Sequence, residues 1–159
     1  MTDTVFADAC ALAAAIRRGD VSAREAVDRV LDRIARLDGD LNAYALVDAD
    51  GARTAADRAD AKQALGGDLG PLHGVPFSVK DLIDTEGLET AFGSHLMAGN
   101  IPARDAATVA RLKSAGAILI GKTTTPEFAH KALTTSPRYG ITCNPWNLTR
   151  SPGGSTGGG

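Results

Sequence analysis

Gly70–Glu86 reads GPLHGVPFSVKDLIDTE, and the reading of this stretch decides the fold. The Gly74-Val75-Pro76 corner leads into an alternation. Val75, Phe77 and Val79 fall on one face and Ser78 and Lys80 on the other, as the period of a strand requires. Lys80 therefore stands near the end of a short apolar strand, immediately before Asp81. A lysine left buried and charged without a partner is costly; buried and neutral, it is a base. Pairing with Asp81 or Asp84 is the plain alternative. The far end of the chain supplies a second signal, the glycine-rich stretch SPGGSTGGG at 151–159, which carries Ser155 and Thr156. A flexible linker is the plain alternative there, and the Asn144-Pro145-Trp146 segment ahead of it argues against one.

Working outward, residues 7–17 are alanine-rich and helix-favouring, closed by Gly19. Ser22 and Glu25 form a capping box for a second helix, in which Val27, Val30, Leu31, Ile34 and Leu37 recur at helical spacing until Asp38-Gly39 ends the run. Residues 41–47 read as a strand and 49–65 as a polar, alanine-rich helix stopped by Gly66-Gly67. After the Lys80 strand an irregular segment runs to Pro102, with Phe92-Gly93-Ser94 as a functional turn. Asp105 is placed to cap a helix ending at Ala115, and 117–120 is a wholly apolar strand. Strand, helix, strand in that order implies a right-handed crossover and two parallel strands. Thr125-Pro126-Glu127 opens a short helix with proline at its first position. From Thr134 onward one long functional loop is expected. The fold class is α/β, a mixed sheet flanked by helices.

Composition is that of an ordinary globular chain of 159 residues, 43% hydrophobic and 23% charged. Aromatic residues make up only 4%, so the core must be aliphatic and rich in alanine. The formal net charge is −2, with the acidic excess in residues 1–70, which excludes the basic surface that nucleic acid requires. With no signal peptide and no apolar run near membrane-spanning length, a cytoplasmic protein away from membranes is expected. Cys10 and Cys143 are read as reduced thiols.

Several signals are set aside on physical grounds. Gly116–Thr123, GAILIGKT, matches the phosphate-loop pattern, yet that loop needs a flexible nest of amides and the four intervening residues here are a buried strand. His73, His95 and His130 are too scattered for a metal site. Asp81, Asp84, Glu86 and Glu89 read as a solvated acidic turn, with Asp81 orienting groups near Lys80, rather than as glycosidase carboxylates.

The two glycine-bounded stretches together, with the IGKT, PEF, NPW and SPGGS elements in order between and around them, resemble the amidase signature family from about Leu41 onward. By that resemblance Lys80 is the base and Ser155 the relay serine of a Ser–Ser–Lys triad. Gly154 and Thr156 line the substrate, the peptide bond before Ser155 is cis, and no metal or cofactor takes part. Thr156 stands where the family usually has a second serine. The acyl-forming serine and the oxyanion-hole amides of the family come from a turn beyond Ser155, so residues 1–159 are expected to be the N-terminal part of one amidase domain and inert alone. Residues 1–68 would be helical scaffold and 69–159 the start of the catalytic core. The resemblance implies hydrolysis of a small-molecule carboxylic amide through an acyl-serine. Two alternatives stay open: the A subunit of an amidotransferase that frees ammonia from glutamine for tRNA-dependent amidation, and a non-catalytic remnant. The GPLHGVPFSVKDLID wording and the NPWN loop at 144–147 favour a stand-alone amidase. Partners are a homodimer or amidotransferase subunits.

For a lysine to act as base near neutral pH, its pKa must fall by about 3 units from its free value near 10.4, which is ~4–5 kcal/mol. Burial at an apolar strand end can supply a shift of that size and exposure to solvent cannot.

Overall fold

Helix α1 spans Ala9–Arg18, with Asp8 accepting from the Ala11 N–H at its start and Gly19, at φ 78°, closing its end. The computed structural model describes residues 8–159, so the first residue of the expected 7–17 helix, Ala7, lies outside the described residues. Helix α2 spans Ala23–Leu41, and the Ser22 hydroxyl accepts from the Glu25 N–H at 2.9 Å, as the capping pattern predicts. The helix does not stop at Asp38-Gly39. A glycine inside a helix costs only about 1 kcal/mol relative to alanine. Capping by the residues just beyond overrides it here: the Asp38 carbonyl accepts from Asn42 N–H, its carboxylate accepts from Ala43 and Tyr44 N–H, and Asn42 turns the chain at φ 52°. Strand β1 accordingly begins late, at Tyr44, and runs to Val47. Helix α3 follows at Ala49–Ala64.

Strand β2 is Pro76–Lys80, helix α4 is Ala107–Ser114, and strand β3 is Ile118–Thr123. The third strand is longer than its apolar run and takes in the Gly-Lys-Thr that follows. The three strands lie in the order β1-β3-β2. β1 is antiparallel to β3. Between β2 and β3 the ladder climbs in the same direction on both, from Ile118 N–H to Val75 carbonyl up to Asp81 N–H to Thr123 carbonyl, so this pair is parallel. The sheet is mixed and accompanied by helices, as the α/β reading expects.

The chain divides into two compact units. The first takes residues to Ile34, Asp48–Phe77 and Ala110–Ile120. Its core is aliphatic: Leu12, Ala13, Ala15, Ile16, Val21, Ala26 and Val75 cluster, with Val30 and Leu72 against them. Asp60 caps α2 from the side, accepting from the Ala23 and Arg24 N–H groups at 2.7 and 3.0 Å. The second unit takes Ala35–Val47, Ser78–Val109 and Gly121–Gly159. Its segment after β3 is less regular but not structureless: Glu127–Ala129 forms a 3-10 turn, and β4 (Thr135–Ser136) pairs antiparallel with β5 (Gly140–Ile141). Pro126 precedes that turn rather than beginning it, and Phe128 and Ala129 are left-handed at φ 48° and 56°, so no α-helix continues from it.

Candidate active site

The site is built in the second unit. The alternation in β2 is seen at Ser78 and Val79, while Phe77 is only half-buried: Val79 is buried, Ser78 is exposed and bonds the Tyr44 hydroxyl at 2.8 Å, and Lys80 is half-buried. Lys80 Nζ lies 2.8 Å from Ser155 Oγ and 3.3 Å from Thr156 Oγ1. Burial holds its pKa below the ordinary lysine value. Among the described residues it makes no ion pair. The plain alternative, a Lys80–Asp81 or Lys80–Asp84 pair, is not what the chain forms.

The 151–159 loop is not a free linker. Thr134, 1% exposed, is its peg. Thr134 N–H and Oγ1 both donate to the Gly153 carbonyl, at 2.9 and 2.8 Å, and Gly157 N–H donates to Thr134 Oγ1 at 2.9 Å. Glycine is demanded by close approach: a Cβ on Gly154 would lie 2.6 Å from the Ala132 carbonyl carbon, and one on Gly158 would lie 2.3 Å from the Ala43 carbonyl oxygen. The Gly154–Ser155 peptide bond is cis. Gly154 and Thr156 thus flank Ser155 in this pinned loop, with the Thr156 hydroxyl turned to the lysine.

Asp81 corrects the expectation of a solvated acidic turn. It is 1% exposed and accepts from the Ala91 and Gly93 N–H groups at 3.1 and 3.3 Å and from the Tyr139 hydroxyl at 3.0 Å. Burial pushes its pKa up while these donors pull it down; the same burial and the nearby Asp81 charge raise the Tyr139 hydroxyl. Glu89 is held by Arg138 at 2.7 Å, and only Asp84 and Glu86 face solvent. An apolar-strand aspartate has no local donor in sequence; its partners arrive from residues 10 to 58 positions away. The Phe92-Gly93-Ser94 turn wraps this carboxylate with Phe92 and Gly93 left-handed at φ 56° and 68°, and Ser94 donates to Glu127 at 2.7 Å.

Lys122 is the residue that sequence reasoning passed over. It is 0% exposed, and its ammonium donates to the Ile83 carbonyl at 2.6 Å, to Thr90 Oγ1 at 2.7 Å and to Thr85 Oγ1 at 3.0 Å. Burial pulls its pKa down to about 8, against the opposing charges of Asp81, Asp84 and Asp105. The signal that singled out Lys80, a lysine closing an apolar strand, was present here too. The preceding glycine has its own reason: a Cβ on Gly121 would lie 2.2 Å from the Leu46 carbonyl oxygen of β1. Both Gly121 and Lys122 of the phosphate-loop pattern are therefore explained by strand packing.

Among the described residues no group of three or more His, Cys, Asp and Glu side chains could hold a metal ion, and no helix is long and apolar enough to cross a membrane. An amine bonded to a serine hydroxyl, with no carboxylate on the amine, is an arrangement that can pass a proton.

The family described as Amidase matches residues 25–159. In Acidothermus cellulolyticus, the A subunit of the glutamyl-tRNA(Gln) amidotransferase is 46% identical over 158 residues, which is 99% of this chain and 31% of that protein. The solved structure of 6-aminohexanoate cyclic dimer hydrolase with substrate is 31% identical with a TM-score of 0.87, over 98% of this chain and 31% of the other. A bacterial aryl acylamidase of the amidase signature enzymes superposes with a TM-score of 0.91 at 26% identity, over 96% of this chain and 32% of the other. The chain thus spans about a third of the length of the relatives it matches. With the lysine strand, the pinned glycine loop and the family match all falling on the same residues, the chain belongs to the amidase signature family.

Proposed function

We propose that this chain carries the proton-handling half of an amide-hydrolysing centre, with Lys80 as base and Ser155 as relay. The observation that carries the reading is the 2.8 Å contact between Lys80 Nζ and Ser155 Oγ, made by a lysine with no carboxylate partner. Charged, the amine donates to the serine; neutral, it accepts the serine's proton along the same line, while the Ser155 oxygen takes a proton from the attacking serine hydroxyl. Each transfer is returned when the leaving amine is protonated. The attacking serine is a separate residue that forms the acyl intermediate. Gly154 and Thr156 line the substrate beside Ser155, and no metal or cofactor enters. In this reading residues 1–68 are scaffold and 69–159 open the catalytic core of one amidase domain in a cytoplasmic enzyme that acts on a small-molecule amide.

The likeness to amidotransferase A subunits supports a second reading, release of ammonia from glutamine alongside partner subunits. One experiment separates them. The intact protein and its Ser155→Ala variant are assayed on an aryl amide and on glutamine, with and without partner subunits. Removing the relay should cost about 10²–10⁴-fold in turnover. Turnover of the aryl amide alone indicates a stand-alone amidase; glutaminase activity that needs partners indicates the amidotransferase. Near-parent turnover by Ser155→Ala on both substrates would defeat the relay assignment.

A further inference from the structure

The first unit holds a cleft of about 270 Å³ that the Lys80 chemistry does not use, lined among others by Arg58, Lys62, His73, Lys113 and Ser114 and by no carboxylate. Arg58 and Lys62 sit one turn apart on α3, on one face, where like charges repel. Among the described residues neither has an ion-pair partner. Other arginines of the same unit are matched: Arg24 with Asp28 and Asp57, Arg53 with Asp28, Arg18 with Asp20.

His73 is 4% exposed, its ring meets the Ala59 backbone carbonyl, and its Nε2 is a buried atom with no hydrogen-bond partner. Buried polar groups are nearly always satisfied, so an orphaned ring nitrogen beside a cationic cleft points to a missing ligand. Several acceptors nearby are taken: Asp60 is occupied by the N-terminus of α2, and the carbonyls of residues 61–63 in α3 and 111–113 in α4 accept from Leu65, Gly66, Gly67, Ala115, Gly116 and Ala117 N–H groups. Apart from the His73 Nε2, the side chains that line the cleft therefore offer mainly cations and donors.

We propose that this cleft is an anion site that takes a phosphate group, with Arg58, Lys62 and Lys113 around the oxyanion and His73 at its base. A guanidinium fork matches paired phosphate oxygens and lysines neutralise the remaining charge. The volume exceeds that of a bare oxyanion, so a small phosphate monoester fits as well as free phosphate. The charges facing His73 are Lys62 and Arg17, which with burial disfavour its imidazolium, and Asp60, which favours it. A bound dianion adds to the favouring side, so Nε2 gains a proton and donates it to the oxyanion.

The test is a titration of the full chain with inorganic phosphate, and separately with phenyl phosphate, at ionic strength held with chloride, read by calorimetry and by the His73 ring resonances. Saturable one-site binding that moves the His73 signals, weakened about tenfold by Lys62→Gln and by Arg58→Gln, is expected. Tighter binding of phenyl phosphate identifies a metabolite ester, and tighter binding of inorganic phosphate identifies the free ion. His73→Gln would also change a buried packing position, so the two exposed α3 variants carry the test. Absence of saturation with both probes, or affinity unchanged in both α3 variants, overturns the proposal.

Discussion

Lys80 and Lys122 stand near the ends of neighbouring strands in one sheet, each after an apolar run, and each has its pKa lowered by burial. Their surroundings part them. Lys122 is sealed, with an acceptor for each of its three ammonium protons. Lys80 remains half-buried, its hydrogen-bond partners are two hydroxyls, and both belong to one pinned loop. Depth of burial therefore does not single out the lysine proposed as the base. A fully satisfied cation is a strut that ties the 83–90 segment to β3, whereas one that faces only hydroxyls has a partner with which to exchange a proton.

The contrast breaks most sharply on activity. In the intact protein Lys80→Ala should lower amide turnover by about 10³-fold or more, within the range for loss of a positioned base. Far-UV circular dichroism and the melting midpoint should stay close to the parent. Retained turnover would remove Lys80 from the chemistry and leave it as a second strut.

Lys122→Met should do the reverse. It removes the ammonium from the Thr85 and Thr90 hydroxyls and from the Ile83 carbonyl, which keeps only the Thr85 hydroxyl as donor, at a cost of about 3 kcal/mol. For a domain of this size that is a midpoint lowered by ~6–12 °C. Turnover per folded molecule at a temperature below the transition should change far less than in Lys80→Ala. A melt unchanged from the parent would show that the three contacts contribute nothing net.

A smaller effect is expected at Thr156→Val, which keeps the branched shape and deletes the hydroxyl that meets Lys80. Loss of one such bond is worth about 1 kcal/mol, or ~5-fold in turnover. A change of the same size in the melt with none in turnover would assign Thr156 to holding the loop.

The last effect concerns pH. Below about 8 Lys122 is protonated in folded and unfolded chains alike, so its contribution to stability is constant. Between about 8 and ~10.4 the folded chain gives up the proton first, and stability rises with pH. The lowered Lys80 pKa acts in the same direction in parent and variant and cancels from their difference. The midpoint gap between parent and Lys122→Met should therefore widen by a few degrees from pH 7.5 to about 9.5. A constant gap would mean that the three acceptors and Asp81 keep the ammonium charged throughout.

Much of this was legible from local pattern. The alternation around Val75–Lys80, the Ser22 cap, the Gly19 stop and the glycine run around Ser155 depend on the residues themselves and on a few neighbours, so sequence alone determined that Lys80 closes a strand and that Ser155 sits in a loop of permissive backbone. What lies between distant segments was decided by the tertiary structure. Asp38-Gly39 reads as a helix stop, and Asn42, whose side-chain amide donates to the Tyr139 and Ile141 carbonyls, fixes the turn only after Leu41. Asp81 looked solvated, and donors from Ala91, Gly93 and Tyr139 made its burial tolerable. Lys122 looked like a discarded phosphate-loop lysine, and Thr85 and Thr90 made it a strut. The physical reason is the same in each case: the cost of burying a polar group is set by partners that only the folded chain brings within reach.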